Sequence, residues 1–245
     1  DIVEAKKRGI VVSNTPTNEI TEAVAEYTLA MILALARHLT EANQYAKAEK
    51  YQGWDPALFC GLDLYNKTLG IVGLGRIGKA VAVRAVHGLR MNVVYVNPQP
   101  DHDFDLRHQT QHWPLEKLLE ESDFISLHTP LLPSTRHLIS TAEFSIMKKT
   151  VFLINTARGP VVDEKALLRA LRTQRIAGAA LDVFECEPAI DCDIKDNLEL
   201  KAFPNVILTP HIASATFEAR ASMSRCAATN IISFFENGLA PNAVK

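Results

Sequence analysis

From Thr68 onward, short runs of apolar, largely β-branched residues alternate with longer stretches of helical periodicity. Strands that alternate with helices along one chain predict a parallel sheet with helices on both faces. The predicted strands cover residues 68–72, 92–97, 124–128, 151–155, 178–183 and 206–209, and the predicted helices between them cover residues 77–87, 115–121, 142–148 and 164–172. The sequence therefore predicts an α/β fold with a doubly wound parallel sheet.

The segments on either side of this alternating region have other patterns. We predict a short strand over residues 9–13, a long helix over 18–38, a more polar helix over 41–52 and a last helix over 216–235. The long helix is apolar almost all round from Ala23 to Ala36, which is typical of a helix buried between domains or subunits.

Local residue chemistry supports several of these boundaries. Ser140 and Glu143 have the spacing of a capping box, and Asp163 is suited to the N-cap of the helix over 164–172. Pro114 is expected at the first helical position, and Gly238 is expected to end the last helix.

Composition excludes several classes of protein. The chain has 245 residues, 47% of them hydrophobic, and 26 basic against 28 acidic side chains give a net charge of −2. Such a chain can bury a core, and it lacks the excess positive charge that a general nucleic-acid binder needs. Its most apolar run, residues 28–36, is too short to span a membrane, and no signal peptide opens the chain, so we expect a cytoplasmic protein.

Cysteine and histidine spacing gives no sign of a metal site. The four cysteines contain no C-x-x-C pair and are expected to be reduced thiols; they are Cys60, Cys186, Cys192 and Cys226. His102, His108 and His112 form a loose group in a polar segment that we interpret as a loop with solvated side chains.

A glycine motif follows the first predicted strand of the sheet and opens a helix. Gly73, Gly75 and Gly78 are spaced as G-x-G-x-x-G. In this context the first glycine allows the tight turn, the second lets the backbone approach a pyrophosphate, and the third lets the helix pack on the strand. The motif predicts that a dinucleotide binds at the start of the helix, as in a Rossmann-type fold.

The ribose-binding position of this motif holds an amide instead of a carboxylate. Asn97 lies 97 − 78 = 19 residues after the last glycine, where an acidic residue that bonds the ribose of NAD is expected. Asparagine can still bond a hydroxyl, but it does not repel a 2′-phosphate, and no Arg or Lys follows nearby to bind one. The sequence favours NAD, and NADP stays possible.

Three chemically capable side chains follow three further predicted strands. Arg158, Glu187 and His211 all fall in loops after strands, at the sheet edge where ligands bind in open α/β folds. The guanidinium can hold a carboxylate, the imidazole can donate a proton, and the glutamate can fix its tautomer and stabilise its protonated form. Taken singly, a residue of each kind is more often a surface ion-pair partner, a turn residue or a helix cap.

Four segments in this order, GIVGLGRIG, NTARGPVVDE, ALDVFECEP and NVILTPHIAS, resemble the signature motifs of the D-isomer-specific 2-hydroxyacid dehydrogenases, which include glyoxylate/hydroxypyruvate reductases. The resemblance covers essentially the whole chain. It implies NAD(P)-dependent oxidoreductase activity on a small 2-oxo or 2-hydroxy acid, and a homodimer that uses the long helices of residues 18–52. It assigns substrate binding to Arg158, orientation of the histidine to Glu187, and proton donation to His211.

The same resemblance assigns contacts with the dinucleotide to thirteen residues. They are Gly73, Gly75, Arg76, Ile77, Gly78, Asn97, His128, Thr129, Pro130, Thr156, Ala157, Asp182 and Ser214. Glu187 also distinguishes the chain from the related formate dehydrogenases, which have glutamine at this position.

Family members carry most of a second, flavodoxin-like domain ahead of the position at which this chain begins. The resemblance therefore predicts a remnant of that substrate domain over residues 1–16, a dinucleotide-binding domain over 17–213, and a helix that returns to the substrate domain over 214–245. We expect the chain as given to bind a dinucleotide and to turn over substrate poorly. The alternatives are a dinucleotide-binding corepressor and a catalytically impaired truncated relative.

Overall fold

A seven-stranded parallel sheet is the centre of the fold. Residues 1–187 and 199–244 are described by a computed structural model. The strands are β1 (Thr68–Val72), β2 (Asn92–Val96), β3 (Gln111–His112), β4 (Phe124–Leu127), β5 (Phe152–Asn155), β6 (Gly178–Leu181) and β7 (Val206–Leu208). Their order in the sheet is β3-β2-β1-β4-β5-β6-β7, and every neighbouring pair is parallel. This confirms the predicted doubly wound, Rossmann-type α/β fold.

Helices connect the strands and extend beyond them at both ends. In the described part of the chain they are α1 (Ile2–Lys7), α2 (Asn18–Ala36), α3 (Leu39–Lys47), α4 (Arg76–Leu89), α5 (His102–His108), α6 (Leu115–Glu121), α7 (Thr141–Ile146), α8 (Glu164–Arg172) and α9 (Phe217–Asn237), with a 3-10 turn at Gly159–Val161. The capping box of Ser140 and Glu143, the N-cap Asp163 and the left-handed Gly238 after α9 are confirmed. Pro114 is the N-cap of α6 and not its first residue.

Two hydrophobic clusters pack on the sheet. One contains Ile125, Leu127 and Leu153 together with buried side chains of α6, α7 and α8. The other contains Ile71 and Tyr95 together with buried side chains of α2 and α4. Strands that are buried on both sides, as β4 and β5 are throughout, are what a sheet covered on both faces requires.

Three sequence predictions of local structure are wrong. Residues 9–13 do not form a strand, although Ser13 forms an isolated antiparallel bridge with Ala243. The polar segment expected to be a loop contains α5 and β3. The polar helix predicted over residues 41–52 is α3, which begins at Leu39 and ends at Lys47, five residues before the predicted end.

The chain divides into two compact units. One consists of Asp1–Val24 and Ser214–Lys245, and the other of Ala25–Ala213. In the first, the two chain segments are joined by backbone hydrogen bonds from Asn14 N to Asn242 O and from Val244 N to Val12 O. The assignment of this unit to a substrate domain stays a prediction.

One described cysteine contradicts the expectation that all four are reduced thiols. Cys60 and Cys226 are free, whereas Cys186 is disulfide-bonded, and Cys192 lies outside the described residues. Over residues 1–187 and 199–244, no helix has the length and apolar character needed to cross a membrane.

Candidate active site

Two of the three glycines in the loop after β1 have no room for a side chain. Gly73 has a φ of 99°, and a Cβ there would lie 2.9 Å from the backbone C and O of His128. A Cβ on Gly78 would lie 2.2 Å from the carbonyl oxygen of Gly73. Gly75, by contrast, faces open space, with nothing within 4 Å of a Cβ added there. The loop is thus tightly packed at its two ends and open in the middle, where a ligand can approach the backbone.

Helix α4 starts at this open position. Its N-cap is Gly75, no side chain caps its first turn, and no acidic residue lies in that turn. The free N–H groups and the positive end of the helix dipole therefore favour an anion, as a dinucleotide pyrophosphate is. Arg76 is exposed and Ile77 half-buried at the same end. These residues fit the dinucleotide that the motif predicts.

Asn97 connects this loop to the segment after β2. Its Oδ1 accepts a hydrogen bond from the Leu74 N–H at 3.3 Å, and its Nδ2 donates to the carbonyl oxygen of Gln99 at 3.2 Å. Its own carbonyl oxygen is 2.8 Å from Nε2 of His112. The Asn97 side chain thus positions the glycine loop with one end and the following loop with the other.

An ion pair that the sequence analysis missed lies beside this position. The carboxylate of Asp101 contacts the ammonium of Lys79 and also accepts the Phe104 N–H at 3.1 Å as the N-cap of α5. The Lys79 ammonium, followed by the Phe104 N–H, lowers the pKa of Asp101. An aspartate placed three residues before Phe104 is a recognisable N-cap signal that could have revealed α5.

His128 directly follows β4, the neighbour of β1 in the sheet. Its Nε2 is 2.8 Å from Oγ of Ser126, and burial lowers the pKa of the imidazole to about 4, so the ring is neutral at pH 7. The adjacent Thr129 has a buried Oγ1 that has no hydrogen-bond partner among the described residues. Pro130 is exposed.

The loop after β5 is shaped by the side chain of Asn155. Its Oδ1 accepts the Ala157 N–H at 3.0 Å, and its Nδ2 donates to the carbonyl oxygen of Arg158 at 2.9 Å. Thr156 is fixed by a buried hydroxyl contact of 2.9 Å with Thr28 on α2. The Arg158 side chain is exposed, and its Nη1 donates to the carbonyl oxygen of Ala157 at 2.6 Å.

Gly159 joins the loop after β5 to the loop after β6. A Cβ at this residue would lie 1.7 Å from the carbonyl oxygen of Phe184, so only glycine allows the two backbones to meet. Gly159 is not among the residues that the motifs predict to form the site. The contact fixes the loop that carries Arg158 against the loop that leads to Glu187.

His211 and Glu187 form a direct pair. Nδ1 of His211 is 2.9 Å from Oε2 of Glu187, and the side chains are 53% and 30% exposed. His211 has a left-handed φ of 55°, and its backbone N–H donates to the carbonyl oxygen of Asp182 at 2.8 Å. With the carboxylate on Nδ1, the other ring nitrogen is available to a substrate.

The Asp182 carboxylate is completely buried and organises the turn that carries His211. Its Oδ1 accepts from the Thr209 hydroxyl at 2.6 Å and from the Ile212 N–H at 2.9 Å, and its Oδ2 accepts from the Ala213 N–H at 2.8 Å. Asp182 therefore has a structural role that the sequence analysis did not foresee.

The sheet order places the three predicted catalytic side chains at neighbouring positions. Arg158, Glu187 and His211 follow β5, β6 and β7, which are adjacent in the sheet and end at the same edge. Glu187 and His211 are in contact, and Arg158 lies in the next loop. Ser214 is the first residue of the second segment of the other compact unit.

The histidines outside this edge are not grouped around a metal position. His108 lies on α5 with its Nδ1 3.0 Å from Nε2 of His87, and His112 contacts Asn97. In residues 1–187 and 199–244, no group of three or more His, Cys, Asp or Glu side chains could hold a metal ion.

A family profile and the sequences of known proteins both relate this chain to one enzyme family. The family profile for the NAD binding domain of D-isomer specific 2-hydroxyacid dehydrogenases matches residues 29–213. The chain is 46% identical over 245 residues to a glyoxylate reductase of Korarchaeum cryptofilum, covering 100% of this chain and 72% of that protein. It is 45% identical over 248 residues to a glyoxylate reductase of Thermococcus litoralis, covering 100% of this chain and 72% of that one.

The fold is also similar to that of a solved dehydrogenase structure. A D-lactate dehydrogenase of Aquifex aeolicus, in complex with NAD and lactic acid, is 34% identical and superposes with a TM-score of 0.88. The match covers 100% of this chain and 76% of that structure.

Proposed function

This chain belongs to the D-isomer specific 2-hydroxyacid dehydrogenases, and from that premise we propose that it reduces a small 2-oxo acid, such as glyoxylate or hydroxypyruvate, with NADH as the hydride donor. The observation that carries this proposal is the contact of 2.9 Å between His211 and Glu187 at the edge of the sheet where the glycine loop also opens. An imidazole paired with a carboxylate is suited to deliver a proton to a carbonyl oxygen.

Each of three side chains has one role in the proposed reaction. His211 donates the proton that the carbonyl oxygen acquires as the C2 carbon is reduced, and Glu187 holds Nδ1 so that Nε2 points to the substrate. Arg158, exposed on the adjacent loop, binds the substrate carboxylate through its guanidinium. The nicotinamide, when bound, supplies the hydride.

The dinucleotide is held by the open part of the glycine loop and the loops beside it. The N–H groups at the start of α4 face the pyrophosphate, with Gly75 allowing close approach. We propose that the loops beginning at Asn97, His128 and Thr156 line the remaining length of the cofactor. Since Asn97 carries no charge, NADPH is accepted more readily than by a relative with a carboxylate at this position.

The experiment that tests the function is a spectrophotometric assay of NADH oxidation with glyoxylate, hydroxypyruvate and pyruvate, run beside a direct measurement of NADH binding. Saturable oxidation with at least one acid supports the proposal. Binding of NADH with no oxidation of any acid, at a sensitivity that detects the uncatalysed rate, overturns the enzymatic function and favours the corepressor or impaired relative.

We predict that Asn97→Asp weakens the binding of NADPH much more than the binding of NADH. A carboxylate at this position repels the 2′-phosphate of NADPH, so we expect the Kd for NADPH to rise about tenfold or more, with the Kd for NADH changed less than about threefold. The Kd values are measured by fluorescence titration.

Asn92→Asp is the matched control, because Asn92 begins the same strand at its other end and is exposed. It makes the same change of charge and is expected to leave both Kd values unchanged. If Asn97→Asp raises the Kd for NADH and the Kd for NADPH by the same factor, the proposed role of this position is contradicted.

We also propose that the chain forms a homodimer through its long helices and the segment that follows them. The support is an exposed apolar set in this region, which includes Leu39, Tyr51, Trp54 and Tyr65. Apolar side chains that form a contiguous surface are typical of an interaction site, and the proposed dimer would bury these four.

If the chain dimerises through this region, a charged side chain in place of Trp54 should break the dimer, because 84% of Trp54 is exposed in the single chain. Sedimentation of the unmodified chain is expected to give twice the mass of 27.1 kDa, and Trp54→Glu is expected to give a single chain. Leu106→Glu is the control, because Leu106 is 83% exposed on α5, outside this region. A monomeric unmodified chain, or the same shift in both variants, argues against this interface.

The remaining proposals concern organisation and location. We propose that residues 1–16 and 214–245 belong to the substrate domain, that residues 17–213 form the dinucleotide-binding domain, and that the protein acts in the cytoplasm. The free thiols of Cys60 and Cys226 are consistent with that location, whereas the disulfide of Cys186 is not typical of it.

A further inference from the structure

The carboxylate of Glu185 contacts both the loop after β4 and the first residue of α8. Its Oε1 accepts a hydrogen bond from Nε2 of His137 at 2.5 Å, and its Oε2 accepts one from the backbone N–H of Glu164 at 3.4 Å. The Arg136 guanidinium lies 3.8 Å from the same Oε1. The Glu185 side chain is 23% exposed, so these contacts are largely shielded from water. None of the roles given above to the site residues accounts for this arrangement.

The backbone of Glu185 is fixed as well. Its N–H donates to Oε1 of Glu164 at 2.5 Å, and Glu164 is only 5% exposed. The carboxylate of each glutamate thus accepts the backbone N–H of the other. Hydrogen bonds to a carboxylate are among the stronger ones in proteins, so the main chain at Glu185 has a well-defined position.

His137 is itself held by its backbone. Its N–H donates to the carbonyl oxygen of Pro160 at 2.8 Å, and its φ of 52° is left-handed. The ring therefore extends from a fixed main chain to reach Glu185. Since Pro160 is close to Arg158 in the chain, the backbone bond of His137 also fixes the loop that carries Arg158, and it does so without the imidazole.

Glu187 lies just beyond this anchored position. Glu185 precedes it by two residues, and the carbonyl oxygen of Phe184 meets Gly159 on the neighbouring loop. A chain of two residues spans at most about 7 Å, so a displacement of the main chain at Glu185 is passed on to Glu187. The contact of 2.9 Å between Glu187 and Nδ1 of His211 depends on that position.

We propose that Glu185 is a positioning residue: its hydrogen bond with His137 holds the main chain so that the Glu187 carboxylate stays on Nδ1 of His211. The inference rests on the roles of Glu187 and His211 in the proposed function. Glu185 acts through Glu187 and does not touch the reacting atoms.

Two variants break this hydrogen bond from its two sides. Glu185→Ala removes the carboxylate. His137→Asn removes the imidazole from the other loop and changes no residue near Glu187. Asparagine adopts the left-handed backbone of this position more readily than most residues, and its side chain is too short to replace Nε2. A dithiol reductant is present in every measurement, so that the disulfide of Cys186 does not hold the loop in place of Glu185.

Long-range ¹H–¹⁵N NMR of the full chain tests the position of Glu187 without any turnover. A carboxylate on Nδ1 keeps the proton of a neutral imidazole on that nitrogen, whereas a ring without this bond populates both tautomers. Spectra are recorded at about pH 9, and the signal of His211 is identified by its absence from His211→Gln. We expect the Nδ1–H tautomer alone in the unmodified chain and a mixture of both tautomers in Glu185→Ala and His137→Asn.

Steady-state NADH oxidation gives a second result. We expect Glu185→Ala and His137→Asn to lower kcat about threefold to tenfold and to leave KM for the 2-oxo acid within about twofold, because the backbone bonds of the Arg158 loop remain. In a Glu187→Ala background, the same two variants are expected to lower kcat no further, because the side chain that they position is absent.

Glu199→Ala is the matched control, because it removes a carboxylate that pairs with Arg172 on α8 instead of with His137. It is expected to change neither the tautomer nor kcat. Circular dichroism identifies the variants that are folded. The Nδ1–H tautomer alone in either folded variant, a mixture in the unmodified chain, or an equal fall in kcat with and without Glu187 overturns the proposal. If the unmodified chain oxidises NADH with none of the acids, the proposed function fails and the NMR result alone decides the role of Glu185.

Discussion

His211→Gln is expected to lower kcat for reduction of a 2-oxo acid by a factor of about 10²–10⁴ while leaving the Kd for NADH unchanged. Glutamine keeps a polar side chain of similar reach, but it cannot transfer a proton to the carbonyl oxygen. Because the imidazole contacts Glu187 and does not belong to the glycine loop, cofactor binding does not depend on it. The measurement is steady-state NADH oxidation together with fluorescence titration of NADH.

Two further variants make this result specific. Glu187→Gln retains an acceptor for the His211 N–H but loses the negative charge that stabilises the protonated ring, so we expect a fall in kcat of about 10–100-fold. His102→Gln makes the same substitution at an exposed histidine on α5 and is expected to leave the rate unchanged. A His211→Gln enzyme with more than about one third of the original kcat contradicts the assigned role.

Asp182→Ala is expected to lower the free energy of unfolding by about 3–5 kcal/mol. The buried carboxylate accepts from the Thr209 hydroxyl and from the N–H groups of Ile212 and Ala213, and alanine leaves all three donors without that acceptor. Urea denaturation followed by circular dichroism measures the change.

The control for this prediction is Asp103→Ala. Asp103 and Arg107 form an exposed ion pair at 3.8 Å on α5, and its loss is expected to change the free energy of unfolding by less than about 0.5 kcal/mol. Asp182→Asn is expected to be destabilised as well, because an amide nitrogen would face a backbone N–H. A stability of Asp182→Ala equal to that of Asp103→Ala would show that the three hydrogen bonds are not essential to the turn.

Six of the seven strands were predictable because their signal is local, whereas the two-residue strand β3 was not. Thr68–Val72 and Phe152–Asn155 are short apolar runs bounded by polar or turn-forming residues, and burial on both sheet faces makes such runs continuous. Helix α5 was not predictable in this way, because Phe104 is its one buried residue and therefore no apolar stripe marks it. It is stabilised by contacts from other elements, including Lys79 to Asp101 and the Tyr95 hydroxyl to Asp105.

The candidate site was predictable in its chemistry and only partly in its geometry. A guanidinium, a carboxylate and an imidazole after successive strands could be identified from order alone. The pairing of His211 with Glu187 across 24 residues depends on the adjacency of β6 and β7, which spacing does not encode. The Asp182 carboxylate accepts hydrogen bonds from the turn of His211, and the Asn97 amide bonds both the glycine loop and the loop after β2. These contacts depend on the distances between loops, and the sequence contains no local sign of them.

The loops around this site are fastened to one another through main-chain atoms and a few buried polar side chains. Gly159 meets the carbonyl oxygen of Phe184, the His211 N–H bonds the carbonyl oxygen of Asp182, and the Ala213 N–H bonds the Asp182 carboxylate. Side chains elsewhere in these loops can therefore be exchanged with little loss of the architecture. A scaffold of this kind allows new substrate preferences to be selected one loop at a time, by evolution or by a designed library, while the pair of His211 and Glu187 stays where it is.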